Sequence, residues 1–301
     1  MDTSVPWGVE LSDTEQAVSR SFHKFVREFF RSSIRLPWLG LELALAFYRY
    51  VFEIRVASGA GTTERRADWL HKTAWRISRV FGMTIDPVGP VPREGILVAN
   101  HLSYLDIILI GAITPARFIS KSEVRSWPVF GVFARCAGTI FVDRSRRSDT
   151  VRANDELENA LASGQLTVLF PEGTSTGGTH VLPFKSSLLE PVTQAKQPVT
   201  VAHISYSLAD GSVADEVAYW GDMTLVPHLW KLLAKRNLRA RIAFSRIKTT
   251  CGDRKELAKQ LHREVLRLRE NRLPGNRANK TQLCSIAAEE QSLVTSTATR
   301  L

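Results

Sequence analysis

Cysteine is scarce in this sequence: three among 301 residues, Cys136, Cys251 and Cys284, odd in number and far apart. That excludes a disulfide framework and a paired CxxC metal site, and it points to a reducing compartment. Also missing is an uncharged apolar run of about 20 residues, the length a spanning helix needs. The best approximation, 34–52, is interrupted by Pro37, Glu42 and Arg49. The start, Met1-Asp2-Thr3, is acidic and has no apolar stretch behind it, so no secretory signal is visible. No Walker loop, metal-ligand set or G-x-G-x-x-G is present; Gly59-Ala60-Gly61 lacks the third glycine and a preceding strand. Phosphate-loop, dinucleotide and metal chemistry therefore have no motif to rest on.

What is present is an ordinary globular composition. Hydrophobic residues make up 44% and charged residues 23%, values that exclude a chain disordered throughout. At ~150 residues per domain the length allows one large domain or two small ones. Lys and Arg number 40 against 30 Asp and Glu, a formal net charge of +10. An excess of that sign suits an anionic membrane surface or nucleic acid, or serves solubility alone. Where the charges lie decides.

Ser12-Asp13-Thr14-Glu15 has the S-x-x-E form of a capping box. Behind it Val18, Phe22, Phe25, Val26 and Phe29 recur at helical spacing, interleaved with Arg20, His23, Lys24, Arg27 and Arg31. A basic, aromatic-rich helix followed by the stretch 34–52 reads as a helical pair lying in a membrane interface. Packing of both on the main domain, and a single span within 34–52, are the alternatives. Ser58-Gly59-Ala60-Gly61 breaks the chain, and a helical pattern resumes through Trp69, Leu70, Ala74, Ile77 and Val80. Strands are predicted at 95–100, 117–120, 139–143, 166–170, 199–206 and 239–246. Helical patterns alternate with them at 103–113, 128–136, 149–163 and 185–195, which argues an α/β domain with a largely buried sheet flanked by helices. A basic helix over 253–272 closes it. After Pro274-Gly275 the chain is polar to Leu301, a tail predicted to be disordered.

Three strand ends carry candidate chemistry. His101 and Asp106 form H-x-x-x-x-D directly after the apolar strand Ile96–Ala99. Five residues at about 100° each would hold the two side chains some 140° apart on one helix. They meet only if His101 sits on the turn before the helix and Asp106 folds back from its first turn. Asp106 could equally complete a capping box with Ser103 as N-cap, and the two readings are compatible. An Nδ1–H bond to Asp106 would fix the tautomer of His101 and make Nε2 a general base for a hydroxyl. The second end is Phe170-Pro171-Glu172-Gly173-Thr174, a tight turn exposing one carboxylate, or simply a surface turn. Within it Gly173-Thr174-Ser175-Thr176-Gly177 satisfies the G-x-S-x-G of a nucleophile elbow. Glu172 intervenes, however, and Gly177-Gly178-Thr179 and Pro183 are poor helix starters. The third is Asp143-Arg144, followed by Arg146 and Arg147, an anion holder or an Arg paired with its neighbour. Lys121 ends yet another strand.

Taken together these segments resemble the glycerolipid acyltransferase family, which contains the 1-acylglycerol-3-phosphate acyltransferases. Asn100-His101-Leu102-Ser103-Tyr104-Leu105-Asp106 looks like the family's N-H-x-S-x-x-D. Lys121-Ser122-Glu123, Pro128-Val129-Phe130-Gly131 and Gly138–Arg144 look like its second block. Phe170–Thr174 is its F-P-E-G-T, and Pro198-Val199-Thr200-Val201 falls at its fourth. The resemblance spans 86–206 and implies an acyltransferase domain over 62–272. Residues 1–57 would be membrane-associating helices and 273–301 the tail.

It implies His101 as catalytic base and Asp106 as its orienting partner. Asn100, Ser103, Lys121, Arg144, Glu172, Gly173 and Thr174 would bind substrate. The donor would be acyl-CoA or acyl carrier protein as co-substrate, with no cofactor, no metal and no nucleic acid. The acceptor would be the free hydroxyl of a lysolipid, 1-acyl-sn-glycerol-3-phosphate first, at the cytoplasmic face of a membrane. Family enzymes acting on that acceptor usually have Arg after F-P-E-G-T, where this chain has Ser175. That position, Leu182–Ser187 and Trp220-Gly221-Asp222-Met223 with Pro227-His228-Leu229 are closer to the lyso-ornithine lipid branch, the alternative acceptor. A serine esterase using Ser175 and a non-catalytic basic lipid-binding module are the readings from other classes.

Overall fold

The computed structural model describes residues 13–56, 62–143, 147–194, 197–247 and 252–271. Ser12 of the capping box, the 58–61 break, Arg144 and the tail 273–301 lie outside them.

Three segments precede the sheet: helix α1 (Asp13–Tyr50), a π-helical turn (Val51–Val56) and α2 (Thr62–Val80). The chain then alternates through β1 (Thr84–Val88), β2 (Ile96–Ala99), α3 (Leu105–Ile113), β3 (Arg117–Lys121), α4 (Phe130–Cys136), β4 (Ile140–Val142), α5 (Arg147–Ala162) and β5 (Thr167–Leu169). It closes through α6 (Glu190–Gln194), β6 (Val199–Ser207), α7 (Val213–Glu216), α8 (Leu225–Ala234), β7 (Arg239–Ile247) and α9 (Arg254–Glu270). One seven-stranded sheet has the order β1-β7-β6-β2-β5-β3-β4. Neighbours are parallel except β6 and β7, so β1 and β7 run against the other five.

β2 is central and buried on both faces, as its unbroken apolar sequence requires. Its alternate residues feed two cores. Leu97 and Ala99 join one with Leu105, Leu109, Ile204 and Leu232; Ile96 and Val98 join the other with Leu157, Leu189, Leu257 and Leu261. Each strand predicted from the sequence is present. β1 is an addition to them, and it contains Pro87, tolerated because β1 is the edge of the sheet, where a missing N–H has no neighbour to face. α8 is another addition, with Pro227 standing at its third position. The helix predicted over 185–195 is a 3-10 turn (Ser186–Leu188) followed by the short α6.

The expected N-terminal pair is one continuous helix through Pro37. A proline inside a helix costs about 3 kcal/mol, and packing on both sides of Pro37 opposes that cost. Glu28, Ser32, Arg35, Leu39 and Ala46 form one stripe of α1 that faces the domain. Ser32 Oγ donates to the Trp230 carbonyl, Arg35 to those of Leu233 and Lys235, and Arg31 to that of Ala234, so α1 caps the carboxyl end of α8. Phe29 stacks edge-on against Trp230. Much of the remaining described surface of α1 is apolar and outward: Phe22, Phe25, Phe30, Ile34, Leu41, Phe47 and Tyr48 are all exposed. Among the described residues, no helix is long and apolar enough to cross a membrane.

Candidate functional site

β2 and β5 are hydrogen-bonded neighbours, and their carboxyl ends bring the two main motifs together. His101 leaves β2 on the turn before α3, and Asp106 occupies the first turn of that helix. His101 Nδ1 lies 2.8 Å from Asp106 Oδ2. The same oxygen accepts the backbone N–H of Leu102 at 2.6 Å and of Ser103 at 3.0 Å, while Oδ1 accepts the Tyr206 hydroxyl at 2.7 Å. A carboxylate serving as acceptor throughout assigns the hydrogen to Nδ1, and Nε2 keeps its lone pair. Asp106 is fully buried, whereas the His101 side chain is 23% exposed. Burial, joined by the Asp106 charge, holds the Tyr206 phenol far above its usual range, so it remains a donor.

The capping-box reading is half met. Asp106 reaches back to the Ser103 N–H, but Ser103 Oγ is buried with no hydrogen-bond partner among the described residues. Ser103 caps nothing through its side chain.

The Pro-Glu-Gly turn locks this arrangement from the β5 side. The Phe170 ring stacks on the His101 ring with centroids 4.3 Å apart and planes 17° from parallel. Glu172 Oε1 accepts the His101 N–H and Oε2 the Leu182 N–H, each at 2.8 Å. The Thr176 N–H donates to the His101 carbonyl at 3.1 Å and the Tyr219 N–H to the Leu102 carbonyl at 2.9 Å. Burial raises the Glu172 carboxyl above its ordinary pKa, and the two N–H groups oppose the rise. Gly173 has φ +71°, and a side chain there would run into Lys185 at 3.2 Å, so the turn needs glycine.

Several residues expected to bind substrate have other duties. Glu172 is 1% exposed with both oxygens committed to backbone, so it braces the turn that carries His101. Asn100 is equally buried; its amide donates to the Ile204 carbonyl at 3.0 Å and its oxygen accepts the Ile204 N–H at 2.7 Å, clasping β2 to β6. Ser103 is buried as well. Thr174 is exposed beside Gly173. Lys121 is exposed at the carboxyl end of β3, on the same edge of the sheet as His101 with β5 between.

Ser175 is no nucleophile elbow. Its hydroxyl donates to the Tyr219 carbonyl, and the chain after it continues without a helix.

Three further residues, not among the site candidates above, complete the cluster. Tyr206 is one, the single phenol of β6, whose aim cannot be read from spacing. Lys185 is another, lying against Gly173. Tyr104, between His101 and Asp106, is a third: its hydroxyl meets His228 Nδ1 at 3.1 Å, and His228 Nε2 meets the Ala218 carbonyl at 3.0 Å. Among the described residues, no three His, Cys, Asp or Glu side chains are grouped to hold a metal ion.

Comparison with known proteins adds to this geometry. A family model described as Acyltransferase matches residues 88–207, a span holding both His101 and Glu172. Over 254 residues the chain is 35% identical to a lyso-ornithine lipid O-acyltransferase from Brucella abortus, with 79% of this chain and 92% of that protein covered. It is 34% identical over 165 residues to a 1-acyl-sn-glycerol-3-phosphate acyltransferase from Neisseria meningitidis, covering 54% of this chain and 64% of the relative. The fold is similar to the crystal structure of the 1-acyl-sn-glycerophosphate acyltransferase PlsC from Thermotoga maritima, with a TM-score of 0.50 and 22% identity over 79% of this chain and 98% of that one.

Proposed function

The chain belongs to the acyltransferase family, and from that premise we propose that it moves a fatty acyl group from acyl-CoA or acyl carrier protein to the free hydroxyl of a lysolipid, with His101 as general base. The observation that carries the assignment is the 2.8 Å bond from His101 Nδ1 to buried Asp106, on a ring left partly open at a strand end. His101 Nε2 takes the proton of the acceptor hydroxyl as its oxygen attacks the thioester carbonyl carbon. Collapse of the tetrahedral intermediate breaks the C–S bond, and the imidazolium returns the proton to the leaving thiolate. Ester and free thiol result, with no covalent acyl-enzyme. Asp106 orients the ring and stabilises the imidazolium, Tyr206 and two backbone N–H groups hold Asp106, and Glu172 fixes the His101 backbone. Lys121, Thr174 and Lys185 are the exposed polar groups near the reaction edge that would meet the acceptor. The outward apolar face of α1, rich in aromatic side chains, would seat the enzyme on the cytoplasmic leaflet that holds its lipid substrates.

Two acceptors suit this site. 1-Acyl-sn-glycerol-3-phosphate is the acceptor named for the Neisseria relative. Lyso-ornithine lipid is the one named for the Brucella relative, of which a larger share is matched. Ser175 after the Glu-Gly-Thr turn favours the second, because a hydroxyl bound to the Tyr219 carbonyl offers no cation for a phosphate monoester. The test is acyl transfer by the purified full chain and its His101→Ala variant, given acyl-CoA and each acceptor side by side. Ester and free thiol from the wild type should fall about 10²- to 10⁴-fold in the variant. The acceptor that turns over names the branch. Equal turnover by the variant would overturn the assignment of His101.

A further inference from the structure

A second concave site lies away from the central strand β2, at the edge strand β4. It is a cavity of about 480 Å³, within the range of small-ligand pockets, and none of its lining residues belongs to the His101 group. Its walls come from Arg117 at the start of β3, Gly138 and Thr139 ahead of β4, Arg125 after β3, Arg135 on α4, and Arg66 and Tyr50 at the α2–α1 side. In the parallel strands β2 to β5, His101 and Phe170 follow carboxyl ends, whereas Arg117, Gly138 and Thr139 stand at amino ends.

The charge of this cavity is one-sided. Five guanidinium groups, those of Arg66, Arg117, Arg125, Arg135 and Arg152, face a single lining carboxylate, Glu156. Glu156 pairs with Arg117 at 3.4 Å and with Arg152, which also holds Asp149 at 2.7 Å. Arg66, Arg125 and Arg135 have no carboxylate partner among the described residues. They are nevertheless held in place. Arg66 donates to the Arg135 carbonyl at 3.2 Å, Arg135 to the Arg125 carbonyl at 2.5 Å, and the Arg125 guanidinium lies 6.0 Å from the centroid of the Phe141 ring. Burial holds Arg117 below the usual arginine range; Glu156 opposes the shift and the Arg66 charge adds to it. Like charges gathered in one concavity repel each other. Three without internal counter-charge would be balanced by a ligand bearing two or three negative charges, and planar guanidinium forks match phosphate oxygens best.

We propose that the Arg66–Arg125–Arg135 cavity is a phosphate-ester binding site, separate from the acyl-transfer site. Two sources supply such a group. One is a phospholipid headgroup, since Tyr50 ends α1 next to exposed Tyr48 and Phe52, which would rest on a bilayer. The other is the nucleotide phosphates of a coenzyme A thioester in solution.

The experiment titrates inorganic pyrophosphate into the full chain by calorimetry, using wild type, R66Q/R125Q, the charge-matched control K255Q/K259Q on exposed positions of α9, and His101→Ala. The double variant should weaken pyrophosphate binding by about tenfold or more, while the control and His101→Ala bind like wild type. Retention of the wild-type melting temperature in R66Q/R125Q makes that loss one of ligand contacts. Two arms then separate the sources. A headgroup site makes R66Q/R125Q lose only the extra co-sedimentation that phosphatidic acid adds to phosphatidylcholine vesicles. A nucleotide site makes adenosine 3′,5′-bisphosphate displace pyrophosphate and raises KM for acyl-CoA in the variant at unchanged kcat. Equal pyrophosphate binding by wild type and R66Q/R125Q, or none by wild type, overturns the proposal and leaves the role of His101 untouched.

Discussion

At the carboxyl ends of β2 and β5 polar groups lie inside the protein; along α1 apolar groups lie outside it. Both regions invert the usual partition of side chains, and they resolve the inversion differently. Asp106 and Glu172 are buried carboxylates, and the chain itself supplies their hydrogen bonds, four to Asp106 and two to Glu172. That region is complete in the isolated chain. The outer face of α1 has no such internal answer, with Phe22, Phe25 and Phe30 each more than 60% exposed. Its free energy falls only when another phase covers it. The difference teaches that the buried polar cluster is preorganised by the fold, while the outer face of α1 is left for something outside the chain to cover.

Changing Asp106 should break the first region most severely. Asp106→Asn puts an amide where the carboxylate accepts from His101, Leu102 and Ser103. The amide nitrogen can donate to Nδ1, which moves the ring hydrogen to Nε2 and removes the base. A fall of about 10²- to 10⁴-fold in kcat is expected, with KM for acyl-CoA little changed. Stripping the carboxylate altogether, as Asp106→Ala, leaves two backbone N–H groups, the His101 Nδ1–H and the Tyr206 hydroxyl without their acceptor and should cost on the order of 3 kcal/mol in chemical unfolding. Wild-type kcat in Asp106→Asn would dissolve the contrast between a preorganised interior and an incomplete exterior.

The second region predicts the opposite pattern. Phe22→Ser, Phe25→Ser and Phe30→Ser combined should lower partition onto vesicles on the order of 100-fold, at about 1 kcal/mol per ring. The melting temperature should hold, because these rings touch little of the domain. Co-sedimentation unchanged from wild type would mean that the face serves something other than a bilayer. Point substitutions are preferable to removing residues 1–56, since Arg31, Ser32 and Arg35 cap α8 and their loss would disturb the domain as well.

The two regions meet at α8, and a pH measurement sharpens how. α8 carries His228, bonded to Tyr104 in the His101 turn, and its carboxyl end is held by α1. Burial lowers the pKa of His228, with the Ala218 carbonyl opposing the shift. Between its folded value and the unfolded value of about 6.5 the unfolded chain binds more protons. The stability contribution is therefore complete above about pH 6.5 and is lost as pH falls through the folded pKa. Melting temperatures of wild type and His228→Gln at pH 7.5 and 5.5 should show a smaller acid-side drop in the variant; parallel drops would remove His228 as the cause.

How much of this the sequence carried differs between the same two regions. H-x-x-x-x-D at a strand end foretells the His101–Asp106 bond, because the 140° separation admits only one geometry. The interleaved stripe Phe22–Phe29 foretells an outward apolar face. Neither the covering of Asp106 by Tyr206 nor the clasp of Asn100 on Ile204 nor that of Glu172 on the His101 N–H is legible, since these partners lie 100, 104 and 71 residues apart. The cationic cavity is assembled likewise from Arg66, Arg125 and Arg135, whose spacing is not that of any motif.

Ser175 provides the smallest expected effect and the sharpest check on motif against geometry. The string Gly173–Gly177 spells a nucleophile elbow, yet the Ser175 hydroxyl is turned to the Tyr219 carbonyl and no helix follows. Tyr219 in turn donates its N–H to the Leu102 carbonyl, so Ser175 steadies the His101 turn from a distance. Ser175→Ala removes one neutral hydrogen bond, worth about 1 kcal/mol of stability, and leaves His101, Asp106 and Glu172 in place. Turnover with acyl-CoA and either lysolipid should stay within a few-fold of wild type, and neither protein should accumulate an acyl-enzyme in a rapid-quench burst. Loss of all activity in Ser175→Ala together with a burst of free thiol in wild type would transfer the chemistry from the histidine to the serine.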